Sequence, residues 1–434
     1  MHFFVHYFHN QMIMNKRNFI RSAAIGAVAA PHFLKRLDQL VARVEHRLPE
    51  DVATDEDFWA EIRSGYRLKP DYINLENGYY CILPQETLEN YIHHLREVNY
   101  QGSWYMRTNQ WANKESMANR LADLIGADHG EVIITRNTTE SLDTVIGGVH
   151  WEAGDEAVMA KQDYFAMQQM FTLAEKRYGI VNNIISVPNH PKSDNEIVDV
   201  YAAAITSKTR LLMICHMVNI TGHILPVRKI CDMAHSKGVD VMVDGAHAVA
   251  HIDFDIKDLD CDYYGTSLHK WLSVPLGAGM LYIKKEKIKN LWPMFGDFCC
   301  DEDVIRRLNH TGTHPVHTDL AIGNALDFHQ RIGPKRKEER LRYLQRYWSD
   351  LVRDHEGIII NTPKEAHRSC GIANVGIEGI PPRDLAARLL KEYRIWTVGI
   401  DGQGVHGCRI TPNIYTTTKE LDVFVAALRQ LADG

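Results

Sequence analysis

Asp244 and Lys270 stand 26 residues apart, the first closing an apolar run and the second following at the end of the next strand-like run. Asp244 ends the strand-like part of Asp240-Val-Met-Val-Asp244-Gly-Ala-His247, and Lys270 follows in Asp262-Tyr-Tyr-Gly-Thr-Ser267-Leu-His269-Lys270-Trp271. An acid at the end of an apolar strand is poorly placed for packing and well placed to meet a ligand. A single lysine is ordinarily a solvated surface charge, and a single aspartate there often caps a turn. Together, with enough chain between them for one crossover, they offer more. The carboxylate can keep a heteroaromatic nitrogen protonated, and the amine can condense with an aldehyde.

Pyridoxal 5'-phosphate (PLP) needs such a pair. Its ring is an electron sink only while the pyridine nitrogen holds a proton, which a neighbouring carboxylate enforces. Its aldehyde takes a lysine amine whose pKa falls when the group is desolvated and set beside cations. Its phosphate needs donors. Ile134-Thr-Arg-Asn137-Thr138-Thr139-Glu140-Ser141 runs from an apolar stretch directly into helical periodicity. Hydroxyls and free N–H groups at a helix start bind anions. Asn137 or Thr138 also suits an N-cap, with Glu140 or Ser141 in the first turn. Ser267 and His269, just ahead of the lysine, add further donors.

The elements that must position these residues alternate. Strands are expected at Glu131–Thr135, Glu156–Ala160, Asn183–Val187, Arg210–Cys215 and Val239–Val243. Helices are expected from Thr139, from Tyr164 to Arg177, over Val198–Ile205 and over Val227–Ser236. This order implies an α/β fold with a mainly parallel large-domain sheet covered on both faces. After about residue 330 the texture changes. A long charged helix from Pro334 to His355 precedes short strands (Gly357–Ile360, Gly371–Val375, Ile395–Val398, Cys408–Ile410) and helices at Pro382–Tyr393 and Lys419–Leu431, a smaller α+β domain. The expected divisions are 1–36, an export signal or disordered arm; 37–73, a helical segment; 74–330, the large PLP-binding domain; and 331–434, the small domain. A cleft between two domains is the natural ligand site.

From about Asn74 to Leu431 the chain resembles the class V aminotransferase group of fold-type-I PLP enzymes, which includes cysteine desulfurases, kynureninases and isopenicillin N epimerase-like proteins. The resemblance implies a seven-stranded type of large-domain sheet and a role for each matching position. Lys270 would be the Schiff-base lysine and would shuttle the substrate α-proton. Asp244 would pair with the ring nitrogen, His247 and Asn219 would lie near the phenolic oxygen, and Tyr164 would cover the ring, with Phe165 as competitor. Thr138, Thr139, Ser267 and His269 would hold the phosphate. Thr313, in Gly312-Thr313-His314-Pro315, would reach the phosphate of a partner subunit, implying a homodimer with shared sites. Arg409 would bind the substrate carboxylate through its bidentate fork. The segment Asn74-Leu-Glu-Asn77-Gly78-Tyr79 would line the substrate pocket, and the glycine-rich run Gly399–Gly407 reads as a mobile segment that closes over it.

The run of motifs is closest to the isopenicillin N epimerase-like branch, which implies epimerisation or transamination of an amino acid through α-proton removal by Lys270. An epimerase needs a second acid/base on the opposite face; Tyr79, Tyr80, His314 and His406 are the candidates. The alternatives are carbon–sulfur β-lyase or desulfurase-like activity on a cysteine derivative, or a PLP-binding protein without strong catalysis. A desulfurase needs a thiolate ahead of the carboxylate arginine. Cys408, the only cysteine there, adjoins Arg409 on one strand, where neighbours face opposite ways. No Gly-x-Gly-x-x-Gly follows an early strand, so the standard dinucleotide loop is missing. His310, His314 and His317 are loosely spaced and lack carboxylate ligands, so no metal is expected.

The net charge of −6 and the lack of any basic block past the N-terminus argue against nucleic acid as a partner. Eight scattered cysteines without a Cys-x-x-Cys pair read as mostly buried thiols, with Cys299-Cys300 an unexplained vicinal pair. Near the start, Lys16-Arg17-x-Phe19-Ile20, a small-residue apolar stretch and Ala27-Val-Ala29 resemble a twin-arginine export signal with Lys in the first basic position. The protein is accordingly expected to be exported to the periplasm or to stay cytoplasmic, with translation starting at Met1, Met12 or Met14. No membrane is expected to hold the mature form.

Overall fold

The computed structural model describes residues 33–298 and 300–434. The expected export signal thus lies outside the described residues except for 33–36, which open a helix over residues 33–44, and Cys299 lies outside them too. The helical segment continues with Pro49–Ala53 and Glu56–Arg63, the latter capped by the Asp55 carboxylate on the Phe58 N–H. Its apolar face (Leu37, Val52, Phe58, Trp59, Ile62) packs in one cluster with Trp271, Phe328 and Ile414. It therefore bridges the sheet domain and the C-terminal domain.

Strand β1 (Ile73–Asn74) follows, then the helices Gln85–Gln101, Ser103–Thr108 and Gln110–Ile125. The large sheet is built from β2 (Val132–Thr135), β3 (Glu156–Ala160), β4 (Val181–Ile185), β5 (Thr209–Cys215), β6 (Asp240–Asp244), β7 (Tyr263–Ser267) and β8 (Gly279–Ile283). Their order is β2-β8-β7-β6-β5-β3-β4. Neighbours from β7 through β4 pair in parallel, and β8 runs antiparallel to both β7 and β2. The parallel strands are covered on both faces, as their continuous apolar runs require. One face buries Val158, Leu212, Ile214, Val241 and Val243; the other buries Ala157, Met159, Leu211, Met213 and Met242. Strand β8, Gly279–Ile283, has no counterpart among the strands expected from sequence; Gly277 and Gly279 at its start read as a turn.

The helices Val316–Ile332 and Pro334–Val352 lead into the small domain. There β9 (Ile358–Ile360), β10 (Ala373–Ile377), β12 (Val398–Gly402) and β13 (Val405–Ile410) form an antiparallel sheet ordered β12-β13-β10-β9, while β11 (Ile395–Trp396) pairs in parallel with β1. The glycine-rich run expected to be a mobile closing segment is instead a paired hairpin, with Val398 opposite Arg409 and Gly402 opposite Val405. Two of its glycines serve close packing: a Cβ on Gly399 would lie 2.5 Å from the Pro382 carbonyl oxygen, and one on Gly407 would lie closer still to Asn374 Oδ1, while Gly402 and Gly404 supply positive φ at the turn. The closing helix, Thr418–Ala432, starts with a reciprocal capping box between Thr417 and Glu420.

Candidate active site

A cavity of about 300 Å³ opens where the carboxyl ends of β5, β6 and β7 face strand β13. Lys270 and Asp244 both line it, with His247, His269, Ser267, Thr138, Thr139, Tyr164, Asn219 and Arg409. Ten of the eleven expected site residues thus share one pocket. Thr313 does not line it; it is exposed on the loop before the helix Val316–Ile332. Phe165 is exposed at the first position of the helix Phe165–Tyr178, outside the lining, so Tyr164 is the ring that reaches the pocket.

Adjacent parallel strands bring the acid and the amine together. Asp244, the last residue of β6, is paired with Gly265 of β7, and the chain turns after Ser267 to present Lys270. Burial raises the Asp244 pKa, while the Ala246 N–H (2.9 Å) and the nearby Lys270 amine pull it down. A protonated ring nitrogen would supply the cation this buried carboxylate wants. Burial lowers Lys270 to about 8; Asp244 opposes that and the Arg409 charge reinforces it. The amine lies 3.0 Å from His247 Nε2. Burial, then the Lys270 and Arg409 charges, hold His247 far below its ordinary pKa, so the ring is neutral.

The phosphate end is equally specific. Asn137 caps the helix Thr138–Gly148 by accepting from the Glu140 N–H. The Thr138 N–H donates to Ser267 Oγ (2.9 Å), whose hydroxyl also meets Thr138 Oγ1 (2.7 Å). This clamps the helix N-terminus, with its dipole, against the end of β7. The pocket residue His269 has a buried Nδ1 without a hydrogen-bond partner and is lowered to about 4 by burial. An orphaned buried ring nitrogen beside a helix N-terminus fits an added polar group such as a phosphate. The residues present therefore fit PLP: Thr138, Thr139, Ser267 and His269 at its phosphate, Asp244 at its ring nitrogen and Lys270 at its aldehyde.

On the opposite wall, Arg409 projects from β13. Its Nη2 and Nε donate to Glu76 Oε1 (2.5 Å) and Oε2 (3.2 Å), and Nη1 donates to the Asn219 carbonyl (3.3 Å). Three of five guanidinium donors are thereby used, leaving one each on Nη1 and Nη2, a fork for one carboxylate. Glu76 is held in turn. Thr411 accepts the Asn77 N–H and the Gly78 N–H, and the buried Asn77 takes the Tyr415 hydroxyl. At Gly78 a Cβ would come within 2.8 Å of the Arg409 Cζ, so only glycine lets the guanidinium lie there. Glu76 was not singled out from sequence, and no local pattern marks it; its partner lies 333 positions away.

Among the four acid/base candidates only Tyr79 lines the pocket. His406 is exposed and bound to Asp401 (2.6 Å), and His314 is bound to Asp319 (2.9 Å). Cys408 is fully buried with its thiol on the Pro382 carbonyl, facing away from the site. Cys215 and Met217 also line the cavity, and the Cys215 thiol donates to the buried Asp163 carboxylate (3.2 Å). His310 lies by Asp297 (3.7 Å) and His317 packs against Tyr91, apart from His314. Among the described residues, no three His, Cys, Asp or Glu side chains are grouped to hold a metal ion.

The family model described as aminotransferase class-V matches residues 81–424. Isopenicillin N epimerase of Streptomyces clavuligerus is 28% identical over 394 residues, covering 86% of this chain and 98% of that protein. The apo structure of a cysteine desulfurase from Thermococcus onnurineus NA1 superposes with a TM-score of 0.76 at 20% identity, covering 86% of this chain and 98% of that one. A C-DES mutant with glycine covalently linked to its PLP cofactor gives 0.77 at 21% identity, covering 86% and 99%. These two likenesses extend to the fold.

Proposed function

This chain belongs to the class V aminotransferase family of PLP enzymes, and from that premise we propose that Lys270 carries the cofactor and removes the α-proton of an amino acid held by Arg409, giving epimerisation or transamination. The observation that carries this reading is the convergence of Lys270, Asp244 and Arg409 on one cavity. When bound, PLP supplies the electron sink for the pair left at the α-carbon. The chain's own residues do the rest. Asp244 keeps the ring nitrogen protonated. Thr138, Thr139, Ser267 and His269 anchor the phosphate, and Tyr164 and Asn219 bound the ring. Arg409 orients the substrate carboxylate, and the Lys270 amine moves the proton.

The similarity to isopenicillin N epimerase favours epimerisation. Tyr79, at the pocket rim, is then the acid/base on the face opposite Lys270. With its thiol in the core, Cys408 does not serve as the nucleophile of a persulfide-forming desulfurase. A homodimer fits the exposure of Thr313 away from its own pocket and the exposed rings of Tyr100 (86%) and Trp104 (69%). Light scattering of the purified protein checks it; a monomer at micromolar concentration removes this part.

Borohydride reduction should fix the cofactor on the peptide containing Lys270, and Lys270→Ala should lose about 10²–10⁴-fold in turnover, the usual worth of a positioned acid/base. Full turnover in that variant refutes the assignment. Scanning L- and D-amino acids for α-hydrogen exchange in deuterated water then separates the reactions. Loss of optical activity marks an epimerase, a keto acid a transaminase, and pyruvate with sulfide a lyase.

A further inference from the structure

Trp271 follows the catalytic lysine, yet its side chain turns from the pocket into the core, where it is 1% exposed. Its indole N–H donates to His247 Nδ1 at 3.3 Å. An indole nitrogen can only donate, so His247 Nδ1 must accept. A neutral imidazole carries one proton, and with Nδ1 accepting it sits on Nε2. We infer that Trp271 is a positioning residue that fixes His247 as its Nε2–H tautomer, so that this ring faces the cofactor side of the pocket as a hydrogen-bond donor and never as a base. The functional meaning rests on the Lys270 reading above; the tautomer itself is a property of the chain.

The surrounding network supports this arrangement for a neutral ring facing the free amine of Lys270. His251 lies against Trp271, ring centroids 3.7 Å apart. It accepts the Gly371 N–H at Nε2 (2.7 Å) and therefore donates from Nδ1 to the His247 carbonyl (2.8 Å). A side chain at residue 371 would meet His251 Nε2 at 2.9 Å, so glycine permits that approach. The Trp271 carbonyl accepts from the buried Lys337 amine. Backbone and ring of both residues are thus pinned.

A consequence reaches Lys270. His247 Nε2 and Lys270 Nζ are 3.0 Å apart. With the proton on Nε2 an ammonium could not accept it, so this tautomer goes with the free amine of Lys270, the form present above about pH 8. The other groups that bear on that amine are Asp244, Arg409, Cys81 and Glu76, with His269 beside it, and Trp271 touches none of them through its indole N–H. Without the indole donor the ring can reverse its tautomer, turn an acceptor toward Lys270 and stabilise the ammonium.

Nitrogen-15 spectra of histidine-labelled protein test this, with His247 assigned by its loss in His247→Gln. In PLP-loaded wild type at pH 7–9, and in cofactor-free wild type at pH 9, where Lys270 is the free amine, Nε2 should be protonated and Nδ1 unprotonated. Trp271→Phe should give mixed tautomers. In the cofactor-free variant, trinitrobenzenesulfonate should label Lys270 about fivefold more slowly at pH 8, as a pKa raised by one unit from about 8 requires. A wild-type proton on Nδ1, a charged ring, or a Trp271→Phe ring indistinguishable from wild type would overturn the inference. If Trp271→Phe fails to fold, the wild-type spectrum decides. Borohydride label found elsewhere than Lys270, beside the expected tautomer, would refute the catalytic reading and leave the tautomer standing.

Discussion

The pocket has two walls of opposite construction. On the large-domain wall, Asp244, His247, Ser267, His269 and Lys270 come from 27 consecutive residues at the carboxyl ends of two adjacent parallel strands. On the other wall, Arg409 of β13 is paired with Glu76, which lies 333 positions earlier. The first wall is a product of local sequence and of a topology that places consecutive strand ends side by side. The second exists only when the chain's opening segment, clamped by Thr411 and Tyr415, closes onto the small domain. The groups proposed for catalysis are therefore set by the sheet, and the group proposed for substrate recognition by a long-range contact.

Breaking the first wall should cost most. Asp244→Asn keeps the shape and the Ala246 N–H bond but removes the charge proposed to hold the ring nitrogen protonated. Turnover should fall by about 10²–10³-fold, the scale of losing one preorganised electrostatic partner. Borohydride should still trap the cofactor on Lys270. Retained turnover would show that the acid only caps its turn.

The second wall should fail differently. Arg409→Lys loses the planar fork, and charge-assisted hydrogen bonds of about 1.5–3 kcal/mol predict a KM raised roughly ten- to hundredfold for carboxylated amines. kcat should change less, because the reacting groups sit on the other wall. Glu76→Gln should move KM the same way but only by about tenfold, since the guanidinium keeps its charge and the Asn219 carbonyl while losing a two-point anchor. A lower KM in Glu76→Gln would mean that Glu76 competes with substrate for the arginine. Steady-state kinetics on the amino acid found by the exchange scan distinguishes these outcomes.

The same contrast decides what was legible in the sequence. The strands from β2 to β6 lie within about two residues of their expected positions, because buried strands read as short apolar runs. Asp244 and Lys270 stood out because a charge closing such a run has no packing reason to be there. Strand β8 is missed, since the glycines at its start, Gly277 and Gly279, read as a turn. The Gly399–Gly407 run read as a mobile segment although its glycines serve a tightly packed hairpin; glycine content alone does not separate flexibility from close approach. Glu76 was invisible for the reason the second wall exists at all. An ion pair across 333 residues leaves no local periodicity, and the Gly78 beside it reads as a turn until the guanidinium packed on it is seen.

Cys408→Ala should have the smallest effect and sharpens the comparison within a single strand. Cys408 and Arg409 are neighbours on β13, and the pleat sends them to opposite faces. The thiol donates to the Pro382 carbonyl at 3.5 Å among core residues, while the guanidinium enters the pocket. Burial also pushes the thiol up to about 12, far from the thiolate a sulfur nucleophile requires. Removing it should lower stability by about 1 kcal/mol, as for a small core truncation, and leave kcat and KM unchanged. Thermal melts and kinetics on the same preparation measure both. A loss of activity without a loss of stability would mean that β13 turns its other face to the substrate in the working enzyme, and the assignment of Arg409 would fall with it.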